Sequence, residues 1–152
     1  MEIKLTPIAT VKNLRAIPID DCWEEIISEI ELADNIPTEV FKSISDFSHL
    51  EIIYLFDKVK NNDVIYSGRP RGNPNYPLVG IFAQRKKDRP NTLGLCTVEL
   101  IEHKGRIIKV KYLDAIDGTP VLDIKPVFKE FQPKGQIRQP NWVADLMKHY
   151  WK

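Results

Sequence analysis

Cysteine, histidine and glycine are scarce in this chain. Its 152 residues include two cysteines, three histidines and seven glycines, against eleven prolines. Cys22 and Cys96 lie far apart with no CxxC pair, so they predict no metal site and no disulfide framework. A reduced, cytoplasmic protein is the expectation. His49, His103 and His149 are scattered. No GxGxxG follows a strand, and no Walker phosphate loop, HExxH or GxSxG is present; each absence removes the phosphate cradle, metal ligands or nucleophile that its chemistry needs. No stretch approaches the roughly 20 apolar residues of a membrane span. The start, MEIKLTPIATVKN, lacks a charged residue run leading into an apolar one, so no signal peptide is expected. More proline than glycine implies stiff turns rather than flexible linkers.

Hydrophobic residues make up 43% of the chain and charged residues 28%, the balance of an ordinary globule long enough to bury one core. A single domain over 1–152 is expected. The net charge of +1 conceals a split. Residues 20–57 hold eleven acidic side chains against Lys42 alone, whereas residues 67–111 hold ten basic ones against Asp88, Glu99 and Glu102. The split fits a polyanionic partner, two faces that complement each other, or two solvated faces.

Apolar periodicity predicts mostly strands. Residues 2–12 alternate through Ile3, Leu5, Ala9 and Val11, as a strand does. Residues 23–32 fit either a helix face (Trp23, Ile26, Ile27, Ile30) or a strand end. A short helix is expected over 37–44, a buried strand over 49–57, a polar loop over 60–77 and a strand over 78–84. Residues 95–102 and 106–113 form a hairpin around His103-Lys104-Gly105, and a short strand follows at 121–124. In the tail, Trp142, Val143, Leu146, Met147, Tyr150 and Trp151 lie at helical spacing after Pro140 and Asn141, so a C-terminal helix is expected over 139–151. The fold class is therefore mainly β with peripheral short helices.

Four segments stand out: DFSHL at 46–50, GRPRGN at 68–73, GIFAQRKKDRPNTLGL at 80–95 and LDAIDGTPVLDIKP at 113–126. In this order they resemble the TrmO family, also called YaeB or TsaA-like. That family's pattern runs DFSHLW, then RPR with a glycine, then GVFATRSPxRPNPIGLS, then LDxxDGTPVLDIKPY. The resemblance covers about residues 5–128. It implies a single-domain β-barrel, a homodimer and an S-adenosyl-L-methionine-dependent methyltransferase. The implied acceptor is N6 of threonylcarbamoyl-adenosine beside the tRNA anticodon, or another acceptor if the chain is a paralogue. The alternative is a module that binds S-adenosylmethionine or a nucleotide without turnover. No membrane and no metal are implied.

By the same resemblance, the cofactor residues are Asn13, Leu14, Arg15, Ser48, His49, Arg85, Leu95, Leu113, Asp114, Ala115 and Ile116. The candidates for substrate contact are Arg69, Arg71, Lys86, Arg89 and Asn91. No catalytic acid or base is assigned. Arg85 suits a carboxylate, which a guanidinium grips with two parallel hydrogen bonds; a surface ion pair is the plainer use. Ser48 and His49, as strand neighbours, are expected on opposite faces rather than as a nucleophile dyad. They are read either as ligand contacts or as a capped turn. Tyr66, Tyr76 or Phe82 is expected to stack on a base, with a core place favoured for Phe82. Asp117 is expected to order its turn, and Asp123 to pair with Lys125. The arginine turn, the Ser-His corner and the Leu-Asp stretch are expected to form one pocket. Departures from the pattern include Asn13-Leu14-Arg15 in place of Ser-Pro-aromatic, Glu51 after SHL, Asp57 in place of a histidine, and Thr92-Leu93 within RPNPIG.

Overall fold

The computed structural model describes residues 1–152. Six strands close into an antiparallel barrel: β1 (Ala9–Lys12), β2 (Ile27–Leu32), β3 (His49–Leu55), β6 (Leu93–Lys104), β7 (Ile107–Lys111) and β8 (Pro120–Pro126), in the order β1-β2-β7-β6-β3-β8. Two short strands, β4 (Ser67–Gly68) and β5 (Val79–Gly80), pair outside it, and a helix α1 (Asn141–Leu146) follows. Closure leaves the barrel without a free sheet edge along most of its girth.

Alternation explains the strands. In β3, Leu50, Ile52 and Tyr54 point inward and are buried. In β6, Cys96 and Val98 do the same, while Leu93, Leu95 and Thr97 face outward. Together with Val11, Ile30, Ile108, Val110, Leu113 and Val121 they form one core. The segment over 23–32 resolves as a strand from Ile27, because Ile30 pairs with both Val11 and Ile108.

The antiparallel order gives the barrel two rims. One gathers the end of β1, the start of β2, the end of β3, the start of β6, the end of β7 and the start of β8; the opposite strand ends form the other. At the first rim Tyr54 lies directly opposite Gly94. A Cβ at Gly94 would sit 2.3 Å from the Tyr54 ring, far inside contact distance. Gly94 is what lets this ring lie flat against β6.

Five local expectations are corrected. The strand read over 2–12 begins only at Ala9, and Ile3 and Leu5 are exposed. Pro7 lacks an amide hydrogen, and the Ile124 amide is met by the Asp123 side chain instead. The strand over 78–84 stops at Gly80 and becomes a 3-10 turn, Ile81–Ala83, because Gln84 turns inward to donate to the carbonyls of Gly68 and Val79. The helix over 37–44 is two 3-10 turns, Thr38–Phe41 and Ile44–Asp46, split by Ser43 in the left-handed region at φ 66°. The hairpin strands run to Lys104 and from Ile107, so the turn sits at Gly105-Arg106. The helix over 139–151 ends at Leu146 with Pro140 as its cap. Beyond it the backbone of His149–Trp151 accepts hydrogen bonds from Cys22, Trp23 and Glu24 instead of continuing the helix.

Replacing Gly94 by alanine must displace the Tyr54 ring or β6. We expect Gly94→Ala to lower stability by about 1–3 kcal/mol, as overpacking does, measured as a shifted urea midpoint with an unchanged slope.

Candidate functional site

Most of the candidate residues meet at the rim carrying Tyr54. Asn13 anchors the loop after β1. Its side-chain amide donates to Ser28 Oγ (2.9 Å) and to the Ala115 carbonyl (2.8 Å), and its backbone amide donates to Asp117 Oδ1 (3.0 Å). The Asp117 amide returns a bond to the Arg15 carbonyl (2.7 Å). Residues 13–15 and 115–117 are thus laced together, and the Asp117 side chain bonds the Asn13 amide rather than its own turn. Arg15 then donates to the carbonyls of Asp21 (2.8 Å) and Cys22 (2.9 Å) and lies over the Trp23 ring at 4.3 Å. Leu14 is fully exposed and lines, with Asn13, Lys12 and Lys109, an open cavity of about 600 Å³.

Asp114 is the polar centre of this rim. Tyr54 donates its hydroxyl to Oδ1 at 2.5 Å, and Tyr150 from the tail donates to Oδ2. Cys96 points at the Tyr112 carbonyl, 2.9 Å away. Burial, then the charge of Asp114, push the Tyr54 and Tyr150 phenols and the Cys96 thiol above their ordinary values. The Arg85 charge opposes the shift on Tyr150 and Cys96, so Arg85 shares the neighbourhood. Arg85 is exposed and spends one Nη on the Leu95 carbonyl (2.6 Å), leaving the rest of its fork open. Leu95 presents a half-exposed apolar face beside it.

The backbone between β7 and β8 is unusual. Tyr112 has φ 70°, costly for a bulky residue. Leu113 and Ala115 are buried in the core, so their side chains offer no surface. Yet the amides of Leu113, Ala115 and Ile116 donate to no group of the chain. Buried amides almost always find a partner, so three unpaired donors within four residues set this stretch apart. Asn91 and Thr92 add two more left-handed residues at the same rim.

Ser48 and His49 stand elsewhere. His49 begins β3 and Ser48 precedes it at the opposite rim, roughly 20 Å away along a seven-residue strand. The single pocket expected from the sequence is therefore not assembled within one chain. His49 does share the outer sheet face with Ile53 and Leu95. Ser48 lies just before the strand, so alternation does not separate the pair, and Ser48 Oγ contacts His49 Nδ1 at 2.7 Å.

The basic candidates are largely engaged inside the fold. Arg69 donates to the Tyr76 carbonyl (2.5 Å), and Arg89 to the Gln84 carbonyl (2.7 Å). Arg71 pairs with Asp21 (2.8 Å) and approaches Asp20 (3.9 Å), and Lys86 lies 3.3 Å from Asp88. Asn91 shapes its turn at φ 66°. Part of the acidic–basic split is thus satisfied internally. Asp123 pairs with Lys125 at 2.7 Å. Tyr66 and Phe82 are exposed and Tyr76 is buried, which overturns the core place for Phe82. No group of three His, Cys, Asp or Glu is placed to hold a metal ion, and no helix is long and apolar enough to cross a membrane.

A model of the tRNA-methyltransferase O N-terminal domain family matches residues 8–132. The chain belongs to this family. A relative from Archaeoglobus fulgidus, named a probable S-adenosyl-L-methionine-binding protein, is 38% identical over 127 residues, which are 84% of this chain and 33% of that protein. The tRNA (adenine(37)-N6)-methyltransferase of Escherichia coli is 38% identical over 92 residues, 58% of this chain and 39% of that enzyme. A crystal structure of TrmO from Pseudomonas aeruginosa has the same fold, with a TM-score of 0.76 at 22% identity over 95% of this chain and 63% of that one. The chain spans between a third and two thirds of the length of these relatives. The family match ends at Gln132, so Tyr150 lies outside it.

Sequence reasoning passed over Tyr54, Cys96, Gly94 and Tyr150. Gly94 stood in the RPNTLG motif, and the inward parity of Tyr54 and Cys96 could be counted. Tyr150 entered only as one of the helically spaced apolar residues of the tail, since its role depends on that tail folding back to the Trp23 segment.

Raised phenol values set a pH limit. The stability contributed by Tyr54 and Tyr150 is full below the ordinary tyrosine pKa near 10 and is lost as pH rises through their higher native values. We expect tyrosinate absorbance from these two groups to appear only together with loss of near-ultraviolet circular dichroism in an alkaline titration. Their ionisation within an intact fold would contradict the hydrogen bonding described here.

Proposed function

We propose that the chain is an S-adenosylmethionine-dependent methyltransferase whose acceptor is an adenine nitrogen beside the tRNA anticodon, working in the cytoplasm. The observation that carries this reading is the row of unspent amides at Leu113, Ala115 and Ile116, beside an exposed guanidinium and an apolar wall. The names of the A. fulgidus and E. coli relatives support the cofactor and the acceptor.

The rim fits such a cofactor piece by piece. The open amides suit the acceptor edge of a purine, Arg85 suits the carboxylate of the amino-acid moiety, and Leu95 and the half-exposed Ile116 suit the flat apolar surface between them. When bound, the cofactor supplies an already activated methyl group on a sulfonium, so the protein's task is chiefly placement. Arg85 and the 113–116 backbone hold and orient. Lys86 and Lys87 meet phosphate, for which flexible cations suffice, while Arg69, Arg71, Arg89 and Asn91 fix the loops that present them. Exposed Tyr66 or Phe82 offers a face on which an unstacked anticodon-loop base can lie.

A homodimer completes this reading. Ser48 and His49 are too distant to serve the Arg85 rim of their own protomer. They share an outer face with Ile53 and the half-exposed Leu93 and Leu95, which a second copy can cover while bringing its own Ser-His corner to that rim. The second reading, binding without turnover, matches the name of the A. fulgidus relative but is not favoured beside the relatives named methyltransferases.

Titration calorimetry with S-adenosylmethionine and methyl incorporation into tRNA, with and without the threonylcarbamoyl group, separate the two. We expect both binding and incorporation, and we expect Arg85→Ala to weaken binding by roughly tenfold or more, the scale of one lost charge-assisted hydrogen bond. Binding without incorporation selects the second reading; absence of heat removes both.

A further inference from the structure

The tail beyond residue 132 lies outside the family match yet reaches the centre of the rim. It docks in three ways. Its backbone at His149, Tyr150 and Trp151 accepts from Cys22 (3.2 Å), Trp23 (3.1 Å) and Glu24 (2.6 Å). Asp145 accepts from the Tyr76 hydroxyl at 2.6 Å, and Trp142 packs against the Tyr76 ring. Trp151 meets the Tyr112 ring edge-on, with centroids 5.6 Å apart. These contacts hold the tail without help from the Tyr150 hydroxyl.

That hydroxyl does something different. It occupies Oδ2 of Asp114 while Tyr54 occupies Oδ1, so the carboxylate is gripped from the barrel on one side and from the tail on the other. A carboxylate has about four acceptor positions, so both oxygens keep capacity while their direction is set. Asp114 sits in the middle of the stretch whose amides are unspent. Trp151 covers the left-handed Tyr112 immediately before that stretch. The tail therefore restrains residues 112–114 from outside, through one side-chain bond and one ring contact.

We propose that Tyr150 is a positioning residue: by fixing Asp114 it holds the amides of residues 113–116 in the direction in which they meet a purine-bearing ligand. The C-terminal tail is then part of the binding site. The inference rests on the ligand reading above, and it goes beyond it by assigning the role to a segment outside the family match.

The test compares the full chain with Tyr150→Phe and Tyr76→Phe. Each variant deletes one phenol–carboxylate bond between the tail and the rest of the chain and keeps the ring. S-adenosylmethionine is titrated calorimetrically, thermal midpoints are recorded, and the amide resonances of residues 113–116 are followed by NMR. We expect both variants to melt lower by a similar amount. Tyr150→Phe should weaken binding by roughly fivefold or more, the effect of a lost hydrogen bond to a charged group, and should shift the 113–116 amides. Tyr76→Phe should bind within twofold of the parent and leave those amides in place. Equal losses in the two variants would reduce Tyr150 to tail docking and overturn the proposal, as would unchanged binding in Tyr150→Phe. If the parent chain gives no heat, the cofactor reading fails by itself. The amide shifts then decide the positioning claim: unshifted 113–116 resonances in Tyr150→Phe overturn it, and selective shifts uphold it.

Discussion

The architecture of the rim depends on the close approach of Tyr54 to Gly94. A glycine with no room for a methyl group lets an aromatic ring lie against the neighbouring strand, and the ring's hydroxyl then reaches Asp114. From that bond follow the orientation of the 113–116 backbone, the burial of Leu113 and Ala115, and the anchoring point for the tail. Closing the barrel puts these pieces at the same end, because antiparallel strands bring alternate chain termini to one rim.

Charge plays a quieter part than composition suggests. The arginines of the basic half mostly satisfy carbonyls of their own loops or the acidic residues at 20–21. Such pairing is modest in energy at a surface, but it fixes loop shape, and loop shape is what a binding site needs. Arg85 and Arg69 are the least spent: each is exposed and makes a single hydrogen bond, to a carbonyl, which leaves most of its fork open.

Much of the fold was legible in the residues. The β-branched and aromatic density of HLEIIYLFD marked β3, the strand read over 95–102 covered most of β6, and the long 113–126 motif identified the turn and strand that follow. What escaped were features set by non-local pairing. The WEEIISEIEL segment satisfied two periods at once, and only contact with Val11 and Ile108 decided between them. The tail's helical spacing was real for one turn and a half, then gave way to backbone pairing with Trp23. At the site, the sequence pointed to Arg85, Leu95 and the Leu-Asp stretch. It could not show that Ser48 and His49 start their strand at the far rim, since strand length separates them from Asp114 in a way that motif order does not convey.

The path of the chain couples two segments far apart in sequence. The Cys22 thiol donates to the Lys152 carbonyl at 3.4 Å, and the amides of Cys22, Trp23 and Glu24 hold the backbone of His149–Trp151. The stretch that leads into the second strand thus tethers the segment whose Tyr150 meets Asp114, so a disturbance at Trp23 travels to the rim through backbone bonds rather than through the core.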